Sequence, residues 1–349
     1  MTDVSPDETR PRFPAFLLAE RSQVVLEERG LKPGSAAAAV RAMSHASRLG
    51  IDSHGFRLTP VYVRMIAAGQ VNPAPHVKVT KQSASTGLID ADHGLGHDAT
   101  YQAVDLACAL AQASGIGAVG VFGSSHNGAA GAYAVAGAER GCVTLSSTNS
   151  DAAVALFNGG AAFHGTNPIA AAAPVPGSNP WLLDMATSSI PFNRVHLFAS
   201  LGIALPPDVA ADASGAVTTK AADVAMLSPL GGSGFGFKGA GLAGLVTVLC
   251  AALTGATLDP EMAKMSGPVV EGHRNCGHMI IAIAPSFFIG ADAFGTAMTR
   301  YLAELRASPA KAGGEVLAPG DREWREARER DSAGIPVDRQ TAEFLGLVG

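Results

Sequence analysis

Residues 239–258 run for twenty positions without one charged side chain, and whatever this chain folds into must cover them. Length and composition admit two solutions, a membrane span or a helix buried on all sides within a large soluble protein. The run is rich in Gly, Ala and Thr and lies between Lys238 and Asp259. We therefore expect a soluble protein with this helix inside it and no membrane partner. The 349 residues are 47% hydrophobic and 16% charged, a balance opposite to that of disordered chains. With 25 basic against 30 acidic residues, there is no basic excess with which to hold nucleic acid or an anionic bilayer.

Cys108, Cys142, Cys250 and Cys276 are scattered, with no Cys-x-x-Cys among them. That is too sparse for a disulfide scaffold and fits a reducing compartment. The first fourteen residues carry charges with no apolar run behind them, so no secretory signal is expected and the cytoplasm is the expected location.

Helices dominate the start. Leu17, Val24 and Val25 share a face in 16–29, stopped by Gly30 with Pro33 beyond; Ser35 is a candidate N-cap for a second helix reaching Gly50; a third runs from about Pro60 to Gly69. The pattern then alternates: strands at 76–81 and 88–91, a helix at 98–113, a strand at 117–122, a helix at 129–139 and a strand at 142–147. Strands at 169–175 and 181–185 flank a Pro-Gly-Ser-Asn turn, glycine-rich 231–236 leads into the uncharged helix, and 279–284 is a further strand. Helices close the chain at 291–306 and at 321–331, which carries nine charges in eleven residues and reads as a solvated face. The expectation is an α/β protein with a largely antiparallel or mixed sheet flanked by helices. It divides into a helical segment at 1–75, a core at 76–290 and a helical segment at 291–349 that packs back on the first.

Two stretches match G-x-G-x-x-G, and neither has the context that gives the pattern meaning. Gly115, Gly117 and Gly120 follow a helix and open a strand, the reverse of the strand-turn-helix order that brings a pyrophosphate onto free N–H groups. Gly234, Gly236 and Gly239 open a helix but follow no strand. As a glycine-rich loop beside Lys238 they form a candidate anion site at a helix start, with an exposed lysine as the plain alternative.

Polar clusters interrupt the apolar background. Asp52, Ser53 and His54 precede Arg57; an imidazole moves protons near neutral pH and a guanidinium fork clamps a carboxylate, while the structural alternative is a helix cap. Ser124, Ser125, His126 and Asn127 stand before the Ala-rich helix. His93 and His97 are four apart but lack an H-E-x-x-H frame, so no metal is expected there. No G-x-S-x-G occurs, which disfavours a serine hydrolase. Asp184 ends an apolar strand, placed to orient a histidine or to cap a helix.

Six ordered blocks, GIDSHGFRLTPVYVRMIAAGQVNP, SSHNGAAGAYAVAGAERG, GTNPIAAAAP, LDMATSS, GFKGAGLAGL and APGDREWREARERDSAGIPV, together resemble the non-Rossmann malate/L-lactate dehydrogenase family. That family also holds ureidoglycolate, sulfolactate and 2,3-diketogulonate enzymes and Δ1-piperideine-2-carboxylate reductase. The resemblance implies a non-Rossmann α/β fold, a homodimer and a bound NAD or NADP. It implies that His54 donates and accepts the proton, assisted by Ser53 and Asp184, and that Arg57 holds the substrate carboxylate, one position earlier than in many members. It further implies that His126, Ser150, Asp184, Met185, Ala186, Lys238 and Arg322 line the cofactor. Asn127 stands where the family often has phenylalanine.

The chemistry so implied is hydride transfer between a nicotinamide and C2 of a small 2-hydroxy or 2-oxo acid. A reductase of cyclic imines such as Δ1-piperideine- or Δ1-pyrroline-2-carboxylate is the nearest alternative. More distant are a metal-dependent hydrolase using some of the ten histidines and a non-catalytic helical oligomerisation scaffold.

Overall fold

The computed structural model describes residues 10–265 and 272–348; residues 1–9, most of the fourteen on which the expectation of no secretory signal rests, lie outside them. A seven-stranded mixed sheet forms the centre, in the order β2 (Lys78–Gln82), β3 (Thr86–Asp90), β4 (Ile116–Ser124), β12 (Cys276–Ile283), β5 (Val143–Thr148), β8 (Ile169–Ala173) and β9 (Trp181–Met185). Only β3 and β4 run parallel; every other neighbouring pair is antiparallel. The sheet is therefore of the expected mixed kind, and its parallel pair is joined through α4 (Gly96–Ser114).

Strand alternation decides what covers each face. On β12, Ile280 and Ala282 point into the cluster formed with Ala103, Val104 and Ala107 of α4 and Tyr133 and Ala136 of α5 (Gly131–Ala138). Met279 and Ile281 point the other way, against Val246 of α7 (Gly232–Thr247) and Cys250 of the π-helical turn Val248–Ala252 that extends it. Gly115, at φ 93°, ends α4 and turns the chain into β4, so the first glycine pattern is a helix-to-strand turn.

The N-terminal helices α1 (Ala15–Glu28), α2 (Pro33–Arg48) and α3 (Thr59–Ala67) bury Leu18, Leu26, Met43, Phe56 and Tyr62 in a core shared with the last residues, Ile335, Val337, Ala342 and Leu345. Strand β1 (Arg12–Phe13) pairs with β13 (Ile335–Pro336), followed by α10 (Arg339–Phe344). Helix α8 (Ala291–Arg306) packs elsewhere, with Leu302 toward the hollow at Trp181, while α9 (Asp321–Ala333) reaches α2. A small sheet of β10 (Ala210–Ala211), β11 (Met226–Leu227), β6 (Val154–Ala155) and β7 (Ala162–His164), with α6 (Phe192–Leu201), forms a lobe above β9 and α7.

Three expectations change. Helix α2 begins at Pro33 behind Lys32, so Ser35 lies inside it and donates to Asp98 at 3.1 Å instead of capping; a proline's fixed φ favours the first helical position. The glycine-rich stretch is not a loop, since α7 starts at Gly232 and carries Gly234, Gly236 and Gly239 in its first turns. Gly239 is required by packing, because a Cβ there would meet the Leu230 amide nitrogen at 2.3 Å. Nor is the uncharged helix buried on all sides. In this chain Leu245 is 49% and Leu253 66% exposed, beside exposed Phe235, Phe237, Leu242 and Val248.

Arg330 of α9 joins the two ends of the chain. Its guanidinium is buried and donates to Glu326 at 2.5 Å, to the Ser47 carbonyl at 2.7 Å and to Asp52. A buried charge that loses its position leaves uncompensated partners behind. Arg330→Met therefore lowers folding stability by about 3 kcal/mol, read as a fall in the urea midpoint at unchanged slope.

Candidate active site

Five elements bring four histidines and a tyrosine to one place. A 3-10 turn, Asp52–His54, presents His54 between α2 and α3; the loop after β4 presents His126; α4 buries His97, β12 buries His278, and α3 supplies Tyr62. The His54 and His126 rings stack with centroids 5.6 Å apart and planes 23° from parallel. Ser53 Oγ meets His54 Nδ1 at 2.8 Å. The Tyr62 hydroxyl lies 2.9 Å from His126 Nδ1 and 3.2 Å from His97 Nε2, bridging the two imidazoles. His278 is held from both sides, by Ser124 Oγ at 2.7 Å and Thr148 Oγ1 at 2.8 Å.

Burial dominates their electrostatics. It pushes His54 down to about 4, with the Arg57 charge adding to the shift, and His278 and His97 to about 3. His126 is pushed well below the ordinary imidazole range by burial, then by His54, His97 and Arg274 around it. All four rings are neutral at pH 7 and can each accept a proton or donate one N–H bond. His54 and His126 keep some accessibility, whereas His97 and His278 are fully buried.

Asp184 and Met185 end β9 beside the first turn of α5. Asp184 Oδ2 accepts the Gly131 N–H at 2.9 Å, and a Cβ on Gly131 would stand 2.6 Å from that oxygen. Burial raises Asp184 to about 6, opposed by the Gly131 N–H and assisted by the Glu323 charge. The carboxylate is thus fixed to the start of α5; no hydrogen bond joins it to His54 among the described residues. Met185 and Ala186 are half-buried beside it.

The remaining sequence candidates are spread out. Ser150 receives the Thr166 N–H on its hydroxyl at 3.2 Å and borders the buried network in which Asp259 accepts from Asn149, Asn167, Thr247 and Gly165. Lys238 is exposed in the second turn of α7, its Nζ 5.2 Å from the Phe235 ring centre. Arg322 is exposed and pairs with its neighbour Glu323 at 2.7 Å. Arg57 is exposed and lines a shallow hollow with Arg10, Asp52 and Asp338 on the outer side of the 3-10 turn.

Sequence reasoning missed Tyr62, His97 and His278 as neighbours of His126, and it missed Arg274. Their isolated positions carry no motif; only the fold assembles them. A second hollow of about 360 Å³ lies at the far end of β9, lined by Trp181, Trp324, Arg306, Arg325 and Arg328 among others. Among the described residues, no three His, Cys, Asp or Glu side chains gather as a metal cage.

The family described as malate/L-lactate dehydrogenase matches residues 17–346, and the chain belongs to that family. A malate dehydrogenase of Pyrococcus abyssi is 33% identical over 349 aligned positions, covering 98% of this chain and 95% of the relative. The malate dehydrogenase structure from Pyrococcus horikoshii superposes with a TM-score of 0.88 at 31% identity, covering 98% of each chain. That of Δ1-piperideine-2-carboxylate reductase from Pseudomonas syringae gives 0.86 at 27% identity, covering 97% of this chain and all of the other. The protein is accordingly an enzyme of the dehydrogenase type, and its relatives imply a nicotinamide cofactor.

The buried neutral histidines fix how stability responds to acid. Their folded values lie below the ordinary 6.5, so from pH 6.5 down to about 4 for His54 and about 3 for His97 and His278 the unfolded chain binds protons that the folded chain refuses. The stability these rings contribute is fully present above pH 6.5 and is lost as the pH drops. His278→Gln removes about one proton from that uptake, measured as a shallower dependence of unfolding free energy on pH.

Proposed function

We propose that this protein transfers a hydride between a nicotinamide cofactor and C2 of a small 2-hydroxy or 2-oxo carboxylic acid, with His54 as the group that gives and takes the proton. The observation that carries the reading is the stacked His54–His126 pair, accessible and neutral, with Ser53 occupying His54 Nδ1 at 2.8 Å. That bond fixes the ring and leaves Nε2 for a substrate oxygen. Because burial holds His54 near 4, the ring is in its base form at neutral pH, ready to accept the hydroxyl proton in the oxidative direction. In the reductive direction a substrate-bound imidazolium returns it to the alkoxide.

A nicotinamide cofactor supplies the hydride chemistry when bound. The residues present fit such a group. Buried polar atoms without partners, Ser125 Oγ, Asn127 Oδ1 and His97 Nδ1, crowd the loop that carries His126, and a polar ring substituent satisfies donors and acceptors of this kind. In this reading His126, Asp184, Met185 and Ala186 hold the nicotinamide end, while Ser150, Lys238 and Arg322 lie along the rest of the cofactor. Asp184 acts on the proton chemistry through the start of α5 instead of touching His54. Either NAD or NADP is compatible with these contacts.

The hollow at Trp181 suits the adenosine end, since five-residue β9 joins it to Asp184 and Met185. Trp181 and Trp324 are the only tryptophans of the chain, so their fluorescence reports on that hollow directly. Titration with ADP-ribose changes the emission; an unaltered spectrum at saturating cofactor moves the adenosine elsewhere.

The exposed apolar face of α7 supports a homodimer in which a second copy covers it, because an uncovered patch of that kind is rare on monomers. Four buried free thiols support a reducing, cytoplasmic location. A second reading, NADPH-dependent reduction of a cyclic imine, is favoured by the likeness to the piperideine-2-carboxylate reductase structure; the same imidazole would protonate the amine nitrogen.

Loss of NADH or NADPH absorbance with pyruvate, oxaloacetate or Δ1-piperideine-2-carboxylate separates the two. His54→Gln lowers turnover by about 10²–10⁴-fold at unchanged cofactor affinity. If His126→Gln produces that loss and His54→Gln does not, the proton role passes to His126.

A further inference from the structure

Arg274 is the one strongly buried arginine among the described residues whose donors are left idle at the site. It is 2% exposed, yet only Nη2 has partners: Asp151 Oδ1 at 2.5 Å and, weakly, the Met262 sulfur at 3.5 Å. Among the described residues Nε and Nη1 are buried and have no hydrogen-bond partner, while the Cys276 thiol lies close enough to interact with the guanidinium. A charged donor removed from water and left unmade costs more than a neutral one, and such groups persist in native proteins for a reason. Surplus positive charge is not the reason, since Asp151 already balances it. What remains is a pair of N–H donors in the rigid geometry that matches a planar anion.

Backbone pairing says where those donors are. Strands β4 and β12 run antiparallel with Cys276 opposite Ser124. Arg274 stands two residues before this pair and His126 two residues after it, both just beyond the paired strands. Asn275, in the left-handed region at φ 50°, pins this turn by accepting the Gly123 N–H at 2.7 Å. The charge of Arg274 is among those that keep His126 neutral, after burial and the neighbouring His54 and His97. Arg57, by contrast, stands on the exposed outer side of the 3-10 turn with Arg10 and Asp338.

We propose that Arg274, not Arg57, is the guanidinium that receives the substrate's carboxylate, through Nε and Nη1, with Asp151 holding its far side. The assignment rests on the reading that the His54–His126 site performs hydride transfer.

The test compares a 2-oxo acid with its neutral methyl ester, pyruvate against methyl pyruvate, on the intact enzyme with its preferred cofactor. Wild type prefers the acid. Arg274→Gln loses about 10²–10³-fold in kcat/KM for the acid while the ester changes little, so the preference collapses; Arg274→Lys restores it only in part, lacking the fork. Arg57→Gln keeps the preference. Because Arg274→Gln strands Asp151, the double variant Arg274→Gln/Asp151→Asn is measured beside it, with thermal midpoint and cofactor-induced shift as controls for folding. A collapse in Arg57→Gln, or a preference intact in both Arg274 variants, overturns the assignment alone. Wild-type enzyme that binds no nicotinamide and reduces no 2-oxo acid removes the functional reading and this assignment with it.

Discussion

The antiparallel pairing of β4 with β12 is the constraint on which the site depends. These two strands run through the middle of the sheet, with α4 over one face and the end of α7 against the other. His126 follows the end of one strand and Arg274 precedes the start of the other, and His278 is anchored between Ser124 and Thr148 of the adjoining strands. Because a slip of one residue sends every side chain to the opposite face, register and chemistry are specified together. The apolar alternation that packs Ile280 and Ala282 on α4 is the same alternation that fixes where the polar ends of the strands emerge.

At those ends, the fold arranges low polarity without starving polar groups of partners. Tyr62 bridges His97 and His126, Ser53 holds His54, and Thr148 and Ser124 hold His278. Hydroxyl groups serve this purpose because they both donate and accept, so each can satisfy a neutral imidazole in either tautomer. Proton chemistry at neutral pH needs a ring that is not already charged, and desolvation supplies that condition.

How much of this was legible in the residues follows from distance along the chain. Elements with local signatures read well: α1 stops at its glycine, β9 spans the residues its alternation indicates, and the charge-rich α9 turns a face to solvent. Ser53 and His54 could be paired because they adjoin. The glycine-rich stretch before Lys238 looks like a loop when its packing partner, the Leu230 segment, is not in view. Asp184 was expected to orient a histidine or to cap the next helix, and the helix terminus it serves precedes it by more than fifty positions. Arg274 carries no local sign at all; its meaning arises when two strands meet. The α7 surface was misjudged for a different reason, since an apolar pattern states that a face must be covered and not by which chain.

The meeting of Gly131 with Asp184 has a consequence for how this scaffold can vary. The missing side chain on the helix and the carboxylate on the edge strand occupy one space, with 2.6 Å between the acid oxygen and where a methyl would begin. Neither position can drift by itself. A descendant with alanine on the helix has to retract or shorten the acid in the same step, and one that loses the acid opens a gap only a bulkier helix residue can fill. Two sites fifty-three residues apart are in effect a single heritable unit.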